Sequence, residues 1–314
     1  MSKLIGLIDV DGHNFPNIPL MKISAWHKSK GDRVEWYDPM FSEHMDKVYV
    51  SKVFSSSPDF PYHIDADEVV YGGSGYCISM VDGKEVYDKS KDIDLPPEIE
   101  HIMPDYSLYG IDDTAYGFLT RGCPRGCSFC HVEAKEGRAS RKVADLSEFW
   151  TGQKNIVLCD PNILACREWK DLFQQLIDSK AYVDFNQGID IRLMTEEKAQ
   201  MLKQIRTKVL HFAWDRYEDK DKILPKLKMF KEISKRNERT LVVFVLCNFN
   251  TTLEQDLERI YTLREMGYWA YVMLYDKENI PKGHIYRKLQ RWVNNRFIFA
   301  KCDSFDTYLK GGVG

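Results

Sequence analysis

From Tyr116 onward, short apolar runs recur about every thirty residues with helical patterns between them, and this spacing constrains the fold more than any other feature. The runs are Tyr116–Thr120, Asn155–Cys159, Tyr182–Phe185, Val209–Ala213, Leu241–Leu246 and Trp269–Leu274. Between them, Trp169, Leu172, Phe173, Leu176 and Ile177 form one helical face. Thr195 caps the next helix, with Glu196 and Glu197 near its positive dipole end. A lysine-rich helix spans about 219–236, and Thr251-x-x-Glu254 predicts a capping box on a helix closed by Gly267. Parallel strand–helix repetition of this kind predicts a barrel or part of one, with its site on the carboxyl ends of the strands.

A different pattern precedes it. Leu4–Ile8 is an apolar run suited to a buried parallel strand. Asn17 caps a helix with Pro19 in its first turn; Leu20, Ile23 and Trp26 or His27 form its inner face, and Gly31 ends it. Strands follow at Arg33–Tyr37, Lys47–Phe54 and Asp67–Tyr71, the last stopping at Gly72-Gly73-Ser74-Gly75. Residues 82–112 are loop-rich, with a turn signal at Asp82-Gly83 and a break at Pro96-Pro97. The expected fold class is α/β: a small Rossmann-like open sheet over residues 1–100, then a partial (β/α)6 TIM-like barrel with a C-terminal helical and strand extension over 101–314.

Between the first two barrel strands lies Arg121-Gly-Cys-Pro-Arg-Gly-Cys-Ser-Phe-Cys130, with Cys123, Cys127 and Cys130 spaced C-x3-C-x2-C. Thiolates are soft ligands that select zinc, copper(I) or iron–sulfur centres. A cubane 4Fe–4S cluster normally takes four cysteines, so three leave one iron open for a substrate or cofactor. Three other readings compete. Structural zinc wants a fourth ligand, which His131 could supply, although C-x3-C departs from the usual knuckle spacing. Cys127-Ser-Phe-Cys130-His131 also matches the C-x-x-C-H of covalent haem, which belongs to exported proteins. The third is a chance grouping of core thiols, which the surrounding Gly, Pro and Arg argue against.

Apolar content of 44% and aromatic content of 13% indicate a globular chain, and a net charge of −3 gives no global attraction to nucleic acid. The apolar N-terminal run is too short for export or for spanning a membrane. Eight cysteines without an export signal indicate a reducing cytoplasm, and Cys77, Cys159, Cys166, Cys247 and Cys302 read as core thiols.

The cysteine loop, including Phe129 just before its last cysteine, resembles the cluster loop of the radical S-adenosylmethionine superfamily. The resemblance implies a 4Fe–4S cluster on Cys123, Cys127 and Cys130, and S-adenosylmethionine bound through its methionine end to the open iron. It also implies a 5′-deoxyadenosyl radical that abstracts hydrogen, and an external electron donor of flavodoxin or ferredoxin type. Asp160-Pro-Asn162 stands where the family contacts the methionine amine; its competitor is an Asx turn. Asn186, Gln187, Arg192, Asp215, Asn248 and Asn250 follow successive strands and suit ribose hydroxyls and the methionine carboxylate. Phe129 and Tyr275 are the candidates for bordering the adenine.

The N-terminal region resembles the cobalamin-binding domain of many members, with Ser51 and Gly72-Gly73 at matching positions. In the lower-ligand motif D-x-H-x-x-G, Asp11 and His13 are present and the final glycine is missing. Cobalamin would make methyl transfer the reaction; without it, hydrogen abstraction with rearrangement remains. The substrate and any catalytic side chain stay open. The alternative is a non-catalytic, metal-stabilised RNA-binding module using Arg287-Lys-Leu-Gln-Arg-Trp292-Val-Asn-Asn-Arg-Phe297, where cations interleave with aromatics. The same stretch also reads as an amphipathic helix leading to a final strand, Phe297–Ala300.

Overall fold

The computed structural model describes residues 2–81 and 84–311, and the expected turn at Asp82-Gly83 lies outside them. The chain divides into two compact units, 1–175 and 176–314. The expected boundary between residues 100 and 101 falls inside the first.

The first unit opens with β1 (Leu4–Asp9), α1 (Ile18–Ser29), β2 (Arg33–Trp36), β3 (Lys47–Ser51) and β4 (Val69–Gly72). The strands form one parallel sheet in the order β2-β1-β3-β4. β1 is apolar on both faces because both are covered. Ile5 and Leu7 pack with Leu20, Ile23 and Ile99 on one side; Ile8 packs with Met45, Val48 and Val50 on the other. Each fully buried aliphatic side chain contributes about 1.5–3 kcal/mol. Asn17 caps α1 by accepting from the Leu20 amide, Pro19 lies in the first turn, and His27 is buried with Leu20 and Ile23.

After α2 (Ser74–Cys77) come the antiparallel β5 (Ile78–Val81) and β6 (Lys84–Tyr87), then α3 (Pro97–Glu100) and a 3-10 turn at Tyr106–Tyr109. This loop-rich stretch is tied to α1. Lys22 pairs with Glu100 at 2.9 Å, and Ser24 and Lys28 both donate to Asp105 at 2.6 Å.

β7 (Thr114–Gly117) pairs in parallel with β10 (Asn155–Leu158). The strand expected at 116–120 begins two residues earlier and breaks after Gly117. β8 (Thr120–Arg121) then pairs with β9 (Arg141–Lys142) instead, and α4 (Val132–Glu136) follows the cysteine loop. α5 (Trp169–Ser179) buries Leu172, Phe173 and Leu176, as its spacing predicts.

In the second unit, β12 (Leu210–Ala213), β13 (Leu241–Cys247) and β14 (Trp269–Leu274) form a parallel sheet in chain order. β11 (Tyr182–Phe185) runs ahead of β12, with Ile189 bridged to Phe212. α6 (Glu196–Gln204), α7 (Lys220–Ser234) and α8 (Leu253–Glu265) connect the strands, and Thr195 caps α6 by accepting from the Lys198 amide. The capping box of α8 is one residue later than expected. Thr252 accepts from the Gln255 amide while the Gln255 side chain accepts from the Thr252 amide, and the Thr251 hydroxyl is buried. Either register satisfies the orphan amides, but Thr252 is the residue in extended conformation just before the helix.

α9 (Ile285–Asn294), α10 (Arg296–Lys301) and α11 (Phe305–Leu309) complete the chain. The expected final strand at 297–300 is therefore helix. Asn295 ends α9 and caps α10, its side-chain oxygen accepting from the amides of Phe297 and Ile298. Phe299 then packs on Trp292 and Trp269, and packing of that kind outweighs the strand preference of Phe-Ile-Phe. Trp292 is 0% exposed, packed against Phe299 and Phe305, with its indole N–H on the Cys302 carbonyl. Its ring is a core group rather than a platform for bases, so the amphipathic reading of 287–297 holds. No helix among the described residues is long and apolar enough to cross a membrane.

Candidate functional site

The cysteine loop hangs from β8 and is shaped by its own backbone needs. Gly122 has φ +88, and a Cβ there would overlap the carbonyl oxygen of Ala139, so only glycine suits the position. Glu136, in the last turn of α4, clamps the start of the loop: one oxygen accepts from the Gly122 amide at 2.9 Å, the other from Arg121 at 3.0 Å. The amide of Cys123 donates to the Gly137 carbonyl and that of Cys130 to the Cys127 carbonyl. Cys123 and Cys127 are half-buried and Cys130 is exposed, whereas the other five cysteines are buried. No disulfide joins any of the eight.

His131, the fourth ligand that a zinc site would need, turns its Nε2 to Glu85 at 3.1 Å. Among the described residues, no three His, Cys, Asp or Glu side chains converge as ligands of a single metal ion. A cubane makes a different demand, since each thiolate serves its own iron at a separate corner. A reachable loop bent by left-handed glycines, carrying three unbridged thiols, fits that demand.

Asn162 meets the loop directly. Its side chain is 3% exposed and donates from Nδ2 to Cys123 Sγ at 3.4 Å. An N–H donor stabilises thiolate character on a cluster sulfur. Asp160, the expected contact to a methionine ammonium, is tied to the chain itself. Its carboxylate is 4% exposed and accepts three bonds from the chain itself: the Leu119 amide at 3.1 Å, the Thr120 amide at 2.5 Å and the Thr120 hydroxyl at 2.6 Å. These bonds explain the broken first strand, because the amides of 119 and 120 point to Asp160 rather than to a neighbouring strand. Asp160 therefore fixes the stem from which the cysteine loop hangs. Phe129 is half-buried in that loop.

Burial raises the Asp160 pKa to about 6 against the opposing pull of the Thr120 and Leu119 donors. The folded value lies above the unfolded one, so the folded state binds more protons between about pH 4 and 6. Stability is then fully present below the unfolded pKa and falls as pH rises through about 6. A shift of that size corresponds to about 3 kcal/mol at most. Urea titrations from pH 4 to 7 should show this loss, and the Asp160→Asn protein should lack that part of the slope. An unchanged slope would remove Asp160 as its source.

The second unit carries its own strand-end residues. Arg192 donates to Asp190 at 2.8 Å and to Asp219 at 3.0 Å, so both of those carboxylates are engaged. Asp215, just past β12, is half-buried, and burial raises its pKa to about 6 although Arg192 and Arg259 pull it down. Asn248 takes a left-handed φ of +62 and donates to the Tyr275 carbonyl at 3.4 Å. Asn186, Gln187 and Asn250 are exposed. Tyr275 is exposed and lies edge-on to Phe249, ring centroids 4.7 Å apart.

Several contributors escaped the sequence reading. Glu136 and Thr120 lie within the loop's frame without forming any motif. Arg259 is 0% exposed on α8; it donates to the carbonyls of Trp214 and Asp215 beyond β12 and of Leu246 in β13, and to the Asp256 carboxylate. The short spacing Asp256-x-x-Arg259 reads as a surface helix pair, and its complete burial left no trace in the pattern.

No family model matches the chain, and neither does any curated protein. Among solved structures, the radical S-adenosylmethionine methyltransferase TsrM from Kitasatospora setae, with cobalamin and 4Fe–4S cluster bound, matches with a TM-score of 0.57. The match covers 87% of this chain and 75% of that one at 13% identity. At that identity the likeness establishes the shared α/β fold.

Proposed function

We propose that this chain is a radical S-adenosylmethionine enzyme acting on a substrate yet to be identified. The observation that carries the reading is the cysteine loop: three unbridged thiols on a glycine-bent turn, with Asn162 donating to Cys123, on a chain that shares the fold of a radical S-adenosylmethionine methyltransferase. Cys123, Cys127 and Cys130 are the ligands for a 4Fe–4S cluster. Bound together, a reduced cluster and S-adenosylmethionine supply a 5′-deoxyadenosyl radical by cleavage of a carbon–sulfur bond.

The protein's own part is holding and shaping. Glu136 and Asp160 fix the two ends of the loop's stem, and Asn162 tunes the Cys123 sulfur. Asp160 and Asn162 stand as the residues toward the methionine end. Phe129, Asn186, Gln187, Arg192, Asp215, Asn248 and Asn250 are the proposed contacts to adenine, ribose and carboxylate. A small flavodoxin- or ferredoxin-type protein is the proposed electron donor, in a reducing cytoplasm. The domain division at residues 100 and 101 goes with this reading.

After anaerobic reconstitution with iron and sulfide, dithionite and S-adenosylmethionine should release 5′-deoxyadenosine. A reconstituted protein that holds its cluster and never cleaves S-adenosylmethionine would refute the enzyme.

A further inference from the structure

We propose that the N-terminal sheet, although built like a cofactor-binding domain, takes up no cobalamin, because its strand-end crevice is closed by the chain's own loops. In an open α/β sheet, ligands bind outside the carboxyl ends of the strands where the strand order reverses. In the order β2-β1-β3-β4 that point lies between β1 and β3. Here it is laced shut. The Val10 amide donates to the Ser51 carbonyl at 3.0 Å. Asp11 accepts from the amides of Val53 at 2.5 Å and Phe54 at 3.3 Å, and from the Ser57 hydroxyl at 2.6 Å. The segment after β3 is thereby folded over the gap.

The residues that match a cobalamin domain are occupied by this chain. Ser51 is buried, and its hydroxyl accepts from Asn17 Nδ2 at 2.8 Å. The glycine loop after β4 receives the protein's own backbone. The Lys52 amide donates to the Gly72 carbonyl at 3.0 Å, and the Lys52 carbonyl accepts from the Gly75 amide at 2.9 Å. A Cβ on Gly73, whose φ is +99, would overlap that same Lys52 oxygen. The absence of a side chain at Gly73 thus makes room for residue 52, not for a ligand. The Lys52 side chain is itself buried and ends on Asp59 at 2.8 Å.

His13, the would-be lower ligand, stacks on Trp36 with centroids 4.2 Å apart and meets Tyr109 edge-on at 5.5 Å. Tyr109 in turn donates to Asp9 at 2.6 Å, and the Trp36 indole donates to the Leu108 carbonyl at 3.2 Å. The turn at 106–109 is thus bound to the ends of β1 and β2. The domain keeps the architecture and uses its strand ends to seat the segment that leads into β7. Resting on the proposed function, this narrows the reaction to hydrogen abstraction by the S-adenosylmethionine-derived radical, without methyl transfer through a corrin.

The test uses the full-length, iron-reconstituted protein incubated with hydroxocobalamin or methylcobalamin and then desalted, with hydrogen exchange followed in parallel. No corrin absorbance should co-elute. The Val53 and Phe54 amides should exchange at least about 100-fold slower than in an unstructured peptide, at the same rate with cobalamin present. Asp11→Ala should speed them about tenfold or more without changing iron content. Stoichiometric corrin retention, faster exchange on adding cobalamin, or indifference of those amides to Asp11→Ala would each overturn the closed crevice. Failure to hold iron would instead sink the cluster assignment and leave the corrin result standing.

Discussion

In the Cys127→Ala variant, iron after anaerobic reconstitution falls from about four atoms per chain to below one, and 5′-deoxyadenosine formation falls more than about 100-fold. The loop offers three thiols and no spare. The five remaining cysteines are buried and cannot substitute without unfolding the elements that hold them. Two thiolates leave two cubane corners to solvent, which is too few to retain the cluster. The fold should survive, because Cys127 is half-buried in a loop and its loss falls in the range of ordinary surface changes, under about 1 kcal/mol. Iron analysis with a urea titration separates the two effects. A Cys127→Ala protein that keeps full iron and turnover would contradict the ligand set.

The largest stability effect is expected at Arg259. Its guanidinium is fully buried, satisfies three carbonyls at the ends of two neighbouring strands, and neutralises the equally buried Asp256. Arg259→Met keeps the volume and leaves Asp256 charged without its partner, at a cost of about 3–5 kcal/mol. Removing both charges as Arg259→Met with Asp256→Leu should recover much of that loss, since an apolar pair of similar volume carries no uncompensated charge. Because the Asp215 carbonyl is among those held, and Leu246 lies two residues before Asn248, the single variant should also weaken S-adenosylmethionine binding more than its stability loss explains. A loss under about 1 kcal/mol in urea would show that solvent replaces the arginine and that the strand ends do not need it.

The sequence carried the strand–helix repetition well, for physical reasons. A parallel strand covered on both faces must be an apolar run, and a cap must be a small polar residue, so β1, Asn17 and Thr195 could be placed directly. The choices between equivalent solutions were harder. Thr251 and Thr252 can both open α8, and only the backbone conformation selects the second. Phe297–Ala300 has strand composition, yet Asn295 and the pocket beside Trp292 make it helix. Asp160 illustrates the limit most clearly. An aspartate after a strand can bind a ligand, form a turn or clamp a backbone, and only the structure shows that two amides and a hydroxyl about forty residues earlier are held by this one. Trp292 was legible as aromatic and cation-flanked, but not as buried, because partners that cover it lie as far away in the chain as Tyr261.

Electron paramagnetic resonance of the reconstituted, dithionite-reduced protein, recorded without and with S-adenosylmethionine, tests the proposed cluster most directly. The reduced protein should give the signal of a 4Fe–4S cluster on Cys123, Cys127 and Cys130, and that signal should change when S-adenosylmethionine is added. A spectrum indifferent to S-adenosylmethionine, or a colourless protein carrying a single zinc ion, would contradict it.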